Sequence, residues 1–232
     1  MKKHIVVLTG AGMSAESGIA TFRDSGGLWD QYNVEDVATP EGFQRNPKLV
    51  LDFYNKRRRE SLNAEPNAGH IGIAEMQKDF DVSVITQNVD NLHERAGSKK
   101  VLHLHGELMK VQSTGNPNLI YTLSSDNIDI KIGDKAEDGC QLRPFIVWFG
   151  EAVPLLSDAI EITKNADVFV IIGTSLNVYP AAGLVGYVPS GVPVYLIDPK
   201  EVKAYRTGIN HIQKGASEGV KDLRKILKDA SV

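Results

Sequence analysis

The chain has 232 residues and is 42% hydrophobic, enough to bury one substantial core with a smaller lobe attached. A net charge of −3 with 24% charged residues brings no acidic or basic excess that would demand a nucleic acid or a membrane partner. The single cysteine, Cys140, excludes an intramolecular disulfide and any multi-cysteine metal cage. Met1-Lys2-Lys3-His4-Ile5 runs straight into a strand with no signal-peptide pattern, and no apolar run approaches membrane-spanning length, so a cytoplasmic protein is expected.

In chain order, the apolar run His4–Thr9 predicts a strand, followed at once by Gly10-Ala11-Gly12-Met13-Ser14-Ala15, which fits G-x-G-x-x-[G/A]. Residues 31–65 hold a helix, Pro47–Leu62, but no strand. A helix over Pro66–Lys78 then leads to strands at Asp81–Thr86 and Val101–His105. Residues 107–143 are rich in turn signals, and Ile128, Ile130 and Ile132 alternate with polar residues there as in a half-exposed antiparallel strand. Further strands are expected at Pro144–Phe149, Asp167–Gly173 and Val192–Asp198, with a helix over Pro154–Asn165. The last helix, Glu218–Lys228, would turn Val220, Leu223, Ile226 and Leu227 inward behind a Ser217 cap. Such alternation predicts an α/β fold with a doubly wound, Rossmann-like parallel sheet. Its main domain would take residues 1–30, 66–106 and 144–232. Residues 31–65 and 107–143 would form a second, smaller domain, with a ligand in the cleft between them.

The residues able to do chemistry cluster at the expected strand ends, where open α/β sheets bind ligands. The glycine-rich turn brings backbone close to a pyrophosphate, or is a plain strand-to-helix turn. Arg23 could grip a phosphate bidentately, or pair with Asp24. Gln87-Asn88-Val89-Asp90 can address ribose hydroxyls and a carboxamide, while Asp90 could also cap the helix beginning at Asn91. His103 and His105 share a strand face, and His105, nearer the mouth, is the better general base. Gly173-Thr174-Ser175 offers amides and hydroxyls for an anion or ribose. Asp198 supplies an acid for ribose hydroxyls.

Together these segments resemble the sirtuin family of NAD-dependent protein-lysine deacylases. The carriers are Gly10 through Ile19, Thr21-Phe22-Arg23, Gln87 through His93, His105-Gly106, Trp148-Phe149-Gly150-Glu151 and Gly173 through Ala182. The resemblance covers nearly the whole chain except residues 111–142. It implies that NAD is consumed: the acyl-lysine oxygen attacks the nicotinamide ribose, nicotinamide leaves, and an alkylimidate forms. It further implies that His105 then removes a ribose hydroxyl proton, giving lysine and O-acyl-ADP-ribose. By the same resemblance Asn88 and Asp90 orient the nicotinamide ribose and carboxamide, and Phe22 shields the cleaved face. Gly10, Ala11, Gly12, Ser14, Ala15, Arg23, Gln87, Val89, Gly173, Thr174, Ser175, Asp198 and Ala216 complete the NAD site. Val147 through Glu151 would pair with an extended substrate peptide as an added strand.

Helix 47–63 suggests which acyl group. At about 100° per residue, Val50, Phe53, Tyr54, Arg57 and Ser61 form one stripe. Lys56, Arg58 and Arg59 are expected to be solvated. An inward guanidinium needs an anionic or carbonyl partner, and Tyr54 with Arg57 could present a phenol and a guanidinium to one carboxylate. The pair resembles the Tyr-x-x-Arg by which some sirtuins choose succinyl, malonyl or glutaryl lysine. Otherwise Arg57 pairs with an internal acid and Tyr54 is core.

Three departures from the family pattern stand out. Most sirtuins hold the small lobe with zinc on four cysteines, whereas residues 107–143 offer only Cys140. No metal is therefore expected, and an apolar cluster of Leu119, Tyr121, Leu123, Ile128, Ile130 and Ile132 would take its place. Ala20 stands where proline is common, and Asp198 where asparagine is usual. A monomer acting on acyl-lysine side chains of proteins is expected. The rival readings are a protein ADP-ribosyltransferase, a catalytically silent NAD-sensing or interaction module and, more remotely, a dehydrogenase.

Overall fold

Runs of apolar residues that are covered on both faces pair in parallel, and this chain uses them so. A computed structural model of the chain describes residues 2–21, 31–202 and 207–229. The first half contains β1 (His4–Thr9), α1 (Ala11–Ala15), α2 (Val34–Val37), α3 (Pro40–Arg45), α4 (Pro47–Asn63), α5 (Ala68–Met76), β2 (Asp81–Thr86), α6 (Leu92–Arg95) and β3 (Val101–His103). Next come β4 (Gly106–Ser113), β5 (Ile120–Thr122), β6 (Leu142–Ile146), α7 (Leu156–Lys164), β7 (Val168–Ile172), a 3-10 helix (Ala181–Tyr187), β8 (Val194–Ile197), β9 (Ile209–Ile212) and α8 (Ala216–Asp229).

Six strands form one parallel sheet in the order β3-β2-β1-β7-β8-β9, whose winding reverses between β1 and β7. Successive residues of a strand face opposite sides. Ile5, Val7, Val84 and Val170 pack on Ile73 and Met76 of α5 and on Val220, Leu223 and Leu227 of α8. Val6, Leu8, Ile85 and Phe169 pack on the other side, against Ala159 of α7 and Leu184 of the 3-10 helix. Among the described residues no helix is long and apolar enough to cross a membrane.

Several expected elements shift. The strand expected at Pro144–Phe149 forms as Leu142–Ile146 and pairs with β4, so it belongs to a separate antiparallel sheet, β5-β4-β6. An apolar run reports burial but not which sheet buries it. Ile128, Ile130 and Ile132 form no strand. β9 was not anticipated, because Asn210 and His211 interrupt a short edge strand. Helix α8 begins at Ala216, so Ser217 lies inside the first turn and is no cap; its N–H donates to Glu16 Oε1 at 3.2 Å. Ile226 is exposed. Helix α5 starts later than expected because Asn67 and His70 form a reciprocal cap, each side chain accepting from the other's backbone N–H.

The small sheet is tied to α4 by buried polar groups. Leu51, Val111 and Ile130 are buried together with Tyr121, Leu123 and Leu142 at their edge, whereas Leu119, Ile128 and Ile132 lie outside this cluster. Arg58, expected at the surface, has 0% of its area exposed. Its Nε donates to Leu108 O on β4 at 2.7 Å, and its Nη1 to Ile128 O at 3.1 Å and to Asn55 Oδ1. Asn55 in turn binds both backbone groups of Ile130, donating from Nδ2 at 2.9 Å and accepting at Oδ1 at 3.0 Å. Burial pushes the Arg58 pKa down to about 10, and the nearby Asp129 charge partly opposes this. Helical geometry explains the misreading, for Arg58 sits beside the apolar stripe and α4 is covered over a wider arc than that stripe.

Arg58→Met would take the guanidinium from the buried Leu108 carbonyl and the half-buried Ile128 carbonyl, which should lower stability by about 2–4 kcal/mol. Arg59→Met, which breaks only a half-exposed pair with Asp129, should cost about 1 kcal/mol or less. Urea unfolding of the two variants checks this; equal losses would show that the Arg58 clamp does not hold the lobe.

Candidate functional site

The strand order places a crevice at the carboxyl ends of β1, β2, β7 and β8, and the small lobe roofs it. The cavity has a volume of about 810 Å³. Two glycine contacts give its floor the close approach it needs. Gly12 N–H donates to Gly173 O at 2.8 Å. A Cβ on Gly12 would lie 2.7 Å from Gly173 Cα, and one on Gly173, whose φ is +60°, would lie 2.3 Å from Met13 N. The G-x-G pattern thus serves first to let the loops after β1 and β7 touch, leaving backbone as the cavity surface.

Asn88 forms the next layer. Its Nδ2 donates to Gly10 O at 3.0 Å and to Ser14 Oγ at 3.1 Å. With both amide hydrogens committed, Oδ1 is the group it can offer a ligand hydroxyl. Ser14 Oγ donates to Asp90 Oδ2 at 3.0 Å, and Asp90 Oδ1 accepts from Leu92 N at 3.1 Å. Asp90 therefore satisfies the first N–H of α6, although Asn91 holds the N-cap position. Burial raises its carboxyl pKa, and the Leu92 and Ser14 hydrogen bonds hold the rise in check. Ser14 and Asp90 do not line the cavity; they brace Asn88 from behind.

The two histidines part company. β3 ends at His103, so strand alternation does not carry through to His105. His103 faces away from the cavity, with Nδ1 2.9 Å from Asn88 O and Nε2 2.8 Å from Glu94 Oε1. Burial is the largest influence and pulls its pKa down, but Glu94, with the Asn88 carbonyl and Glu107 behind it, makes the net shift upward. His105 lines the cavity. Its Nδ1 lies 3.2 Å from Gln87 O, and since a carbonyl only accepts, Nδ1 carries the hydrogen and Nε2 keeps its lone pair. Burial lowers its pKa, partly offset by the Gln87 carbonyl. Gly106 beside it serves close packing rather than open space: at φ +85°, a Cβ there would lie 2.0 Å from Phe145 O.

Of the other expected residues, Gly10, Ala11, Ala15, Gln87, Val89, Thr174, Ser175, Asp198 and Ala216 line the cavity. Phe22 and Arg23 lie outside the described residues. Tyr54, Arg57 and Val147 through Glu151 line the part beneath the small lobe. Tyr54 Oη accepts from Trp148 Nε1 at 3.0 Å. Arg57 is buried and pairs with Glu60 at 3.2 Å, an acid that is itself half-exposed rather than internal. Within 147–151, the N–H groups of Val147, Trp148, Phe149 and Glu151 are already engaged with His105 O, Glu151 Oε2, Ala38 O and Trp148 O. An added peptide strand would have to use other backbone groups of this segment. Sequence reasoning missed the cavity walls Phe53, Leu108 and Val153, because apolar residues read as ordinary core whether they stand on a helix, a strand or a loop. It also missed Lys200 and Val202, which only the tertiary fold brings in.

Residues 10–180 match the model of the Sir2 family. The chain belongs to that family. It is 62% identical over 229 residues to an NAD-dependent protein deacylase of Bacteroides thetaiotaomicron, covering 97% of this chain and 98% of that protein. An NAD-dependent protein deacylase of Helicobacter pylori (strain 26695) is 50% identical over 231 residues, covering 99% of this chain and 100% of that one. The crystal structure of a Sir2 homolog–NAD complex superposes with a TM-score of 0.88 at 38% identity, over 99% of this chain and 91% of that chain. The parallel sheet and separate antiparallel sheet are thus a Sir2-family architecture.

His105 should titrate below its ordinary 6.5 and His103 above it. At pH 6.5, NMR of the ring protons, assigned by substitution, should find His105 mostly neutral and His103 mostly charged. The reverse order would contradict the hydrogen bonding assigned to each ring.

Proposed function

We propose that this Sir2-family chain is an NAD-dependent protein-lysine deacylase that prefers succinyl, malonyl or glutaryl lysine and retains some deacetylase activity. The observation that carries the reading is His105, with Nδ1 turned to Gln87 O so that Nε2 is the nitrogen left to take a proton, in the same cavity as Asn88 and the Tyr54–Arg57 pair. The cavity suits NAD: touching glycine loops give backbone for a pyrophosphate, Asn88 Oδ1 gives an acceptor, and Asp198 and Ala216 line it as well. NAD, as co-substrate, supplies a ribose that loses nicotinamide and leaves carrying the acyl group.

The residues of the chain divide the remaining work. Asn88 orients a ribose hydroxyl, with Ser14 and Asp90 fixing its side chain. His105 takes a hydroxyl proton on Nε2, while Gln87 O holds Nδ1–H and steadies the imidazolium that results. Phe22 and Arg23, by family resemblance, shield the cleaved face and steady phosphates. Val147 through Glu151 flank the substrate peptide. Arg57 and Tyr54 face the distal carboxylate, each charge-assisted hydrogen bond contributing roughly 1.5–3 kcal/mol. Apart from residues 144–146, which join the small sheet in β6, residues 1–30, 66–106 and 144–232 would act as the NAD-binding domain and the remainder as a small domain that needs no zinc, since Arg58 and Asn55 bind its strands and loop directly.

A panel of acyl-lysine peptides with NAD tests the reading. Free O-acyl-ADP-ribose and nicotinamide are expected; labelled protein without deacylation would instead indicate ADP-ribosyl transfer. Arg57→Met should lower the succinyl-to-acetyl ratio of kcat/KM by on the order of 10- to 150-fold, and an unchanged ratio would reject the acidic-acyl preference. Because the base acts unprotonated and burial lowers its pKa, the acid limb of kcat/KM should fall below 6.5. Elemental analysis finding one tightly held zinc per chain would overturn the zinc-free lobe.

A further inference from the structure

The acyl end of the cavity contains a hydrogen bond whose direction is forced. Indole N–H can only donate, so at 3.0 Å from Tyr54 Oη it makes the tyrosine oxygen an acceptor. Both groups are buried, Trp148 at 3% exposed and Tyr54 at 5%. The Tyr54 hydrogen must then point elsewhere, and among the described residues it meets no acceptor. Tyr54 lines the cavity beside Arg57. Burial also raises its pKa, with the Trp148 bond opposing, which keeps that hydrogen in place at neutral pH.

The indole has little freedom to release this bond. The Arg143 guanidinium lies over its ring, 3.5 Å from the centroid. Arg143 in turn binds Glu151 with both terminal nitrogens, at 2.7 Å and 3.0 Å, and Glu151 Oε2 accepts from the Trp148 backbone N–H at 2.8 Å. Phe43 packs on the same indole at 5.4 Å between centroids.

We propose that Trp148 sets acyl specificity through its indole N–H, which holds the Tyr54 hydroxyl as a donor toward the cavity. A distal carboxylate accepts from that donor, whereas the methyl of an acetyl group leaves it unmet in a buried place. The inference rests on the acidic-acyl reading above and adds a residue that a Tyr-x-x-Arg pattern does not contain.

The test is a double-mutant cycle read as the succinyl-to-acetyl ratio of kcat/KM, with Arg57→Met run alongside. Trp148→Phe keeps an aromatic ring but loses the N–H; it should lower the ratio about 5- to 10-fold in the wild-type background. In a Tyr54→Phe background it should not lower the ratio further. An equal loss in both backgrounds, or no loss in either, overturns the proposal. If Arg57→Met leaves the ratio unmoved, the acidic-acyl reading fails and this role fails with it. A ratio that depends on Arg57 but not on Trp148 sinks the indole role alone. Should phenylalanine compromise folding, 3-benzothienylalanine at position 148, with sulfur in place of N–H, gives the same readings at nearly unchanged shape.

Discussion

The site depends on two backbones touching. Where the sheet reverses its winding, the loops after β1 and β7 meet through Gly12 and Gly173, closer than any side chain permits. A methyl group at either glycine would wedge them apart and tilt the floor on which Asn88 is anchored through Gly10 O. From this contact the polar chain runs outward through Asn88, Ser14 and Asp90. Asn88 donates to Ser14 and Ser14 donates to Asp90, behind the cavity wall, which leaves Asn88 Oδ1 as the acceptor on the cavity side. Preorganisation of this kind costs little at the moment of reaction, because the groups are already bound in their working orientation.

The small lobe solves a different problem. A short three-stranded sheet with a long connecting loop has too little apolar surface to fix its own position. Here a buried guanidinium and a buried amide, one helical turn apart on α4, bind the carbonyls and amide of that sheet and loop. The same helix carries Tyr54 and Arg57, interleaved with Asn55 and Arg58 along its sequence. On the proposed reading, structural attachment and acyl recognition therefore share one helix, and the clamp sets the register of Tyr54 and Arg57.

How much of this was legible follows from the kind of signal each residue gives. The six-residue runs His4–Thr9 and Asp81–Thr86 formed with the expected bounds, since a fully covered parallel strand writes itself as unbroken apolar sequence. The run after residue 143 looked the same yet joined the other sheet, a choice made by partners far along the chain. β9 was invisible because an edge strand buries only part of itself. Arg58 misled because charge predicts exposure, and only tertiary structure reveals carbonyls waiting for it. In the site, polar residues at strand ends were readable as a group. The division of labour between His103 and His105 was not, since it turns on where a strand stops. Apolar cavity walls such as Phe53 and Leu108 carry no sequence mark that separates them from core.

Gly106 stands where the parallel sheet gives way to the antiparallel one, pressed against the Phe145 carbonyl. His105 is its immediate neighbour, and the His105 carbonyl accepts from Val147 N–H across the same junction. The histidine proposed as the base therefore stands at the junction between the two sheets. Because both sheets hold the backbone on either side of it, the place of this ring relative to Asn88 depends on how the two sheets pack together.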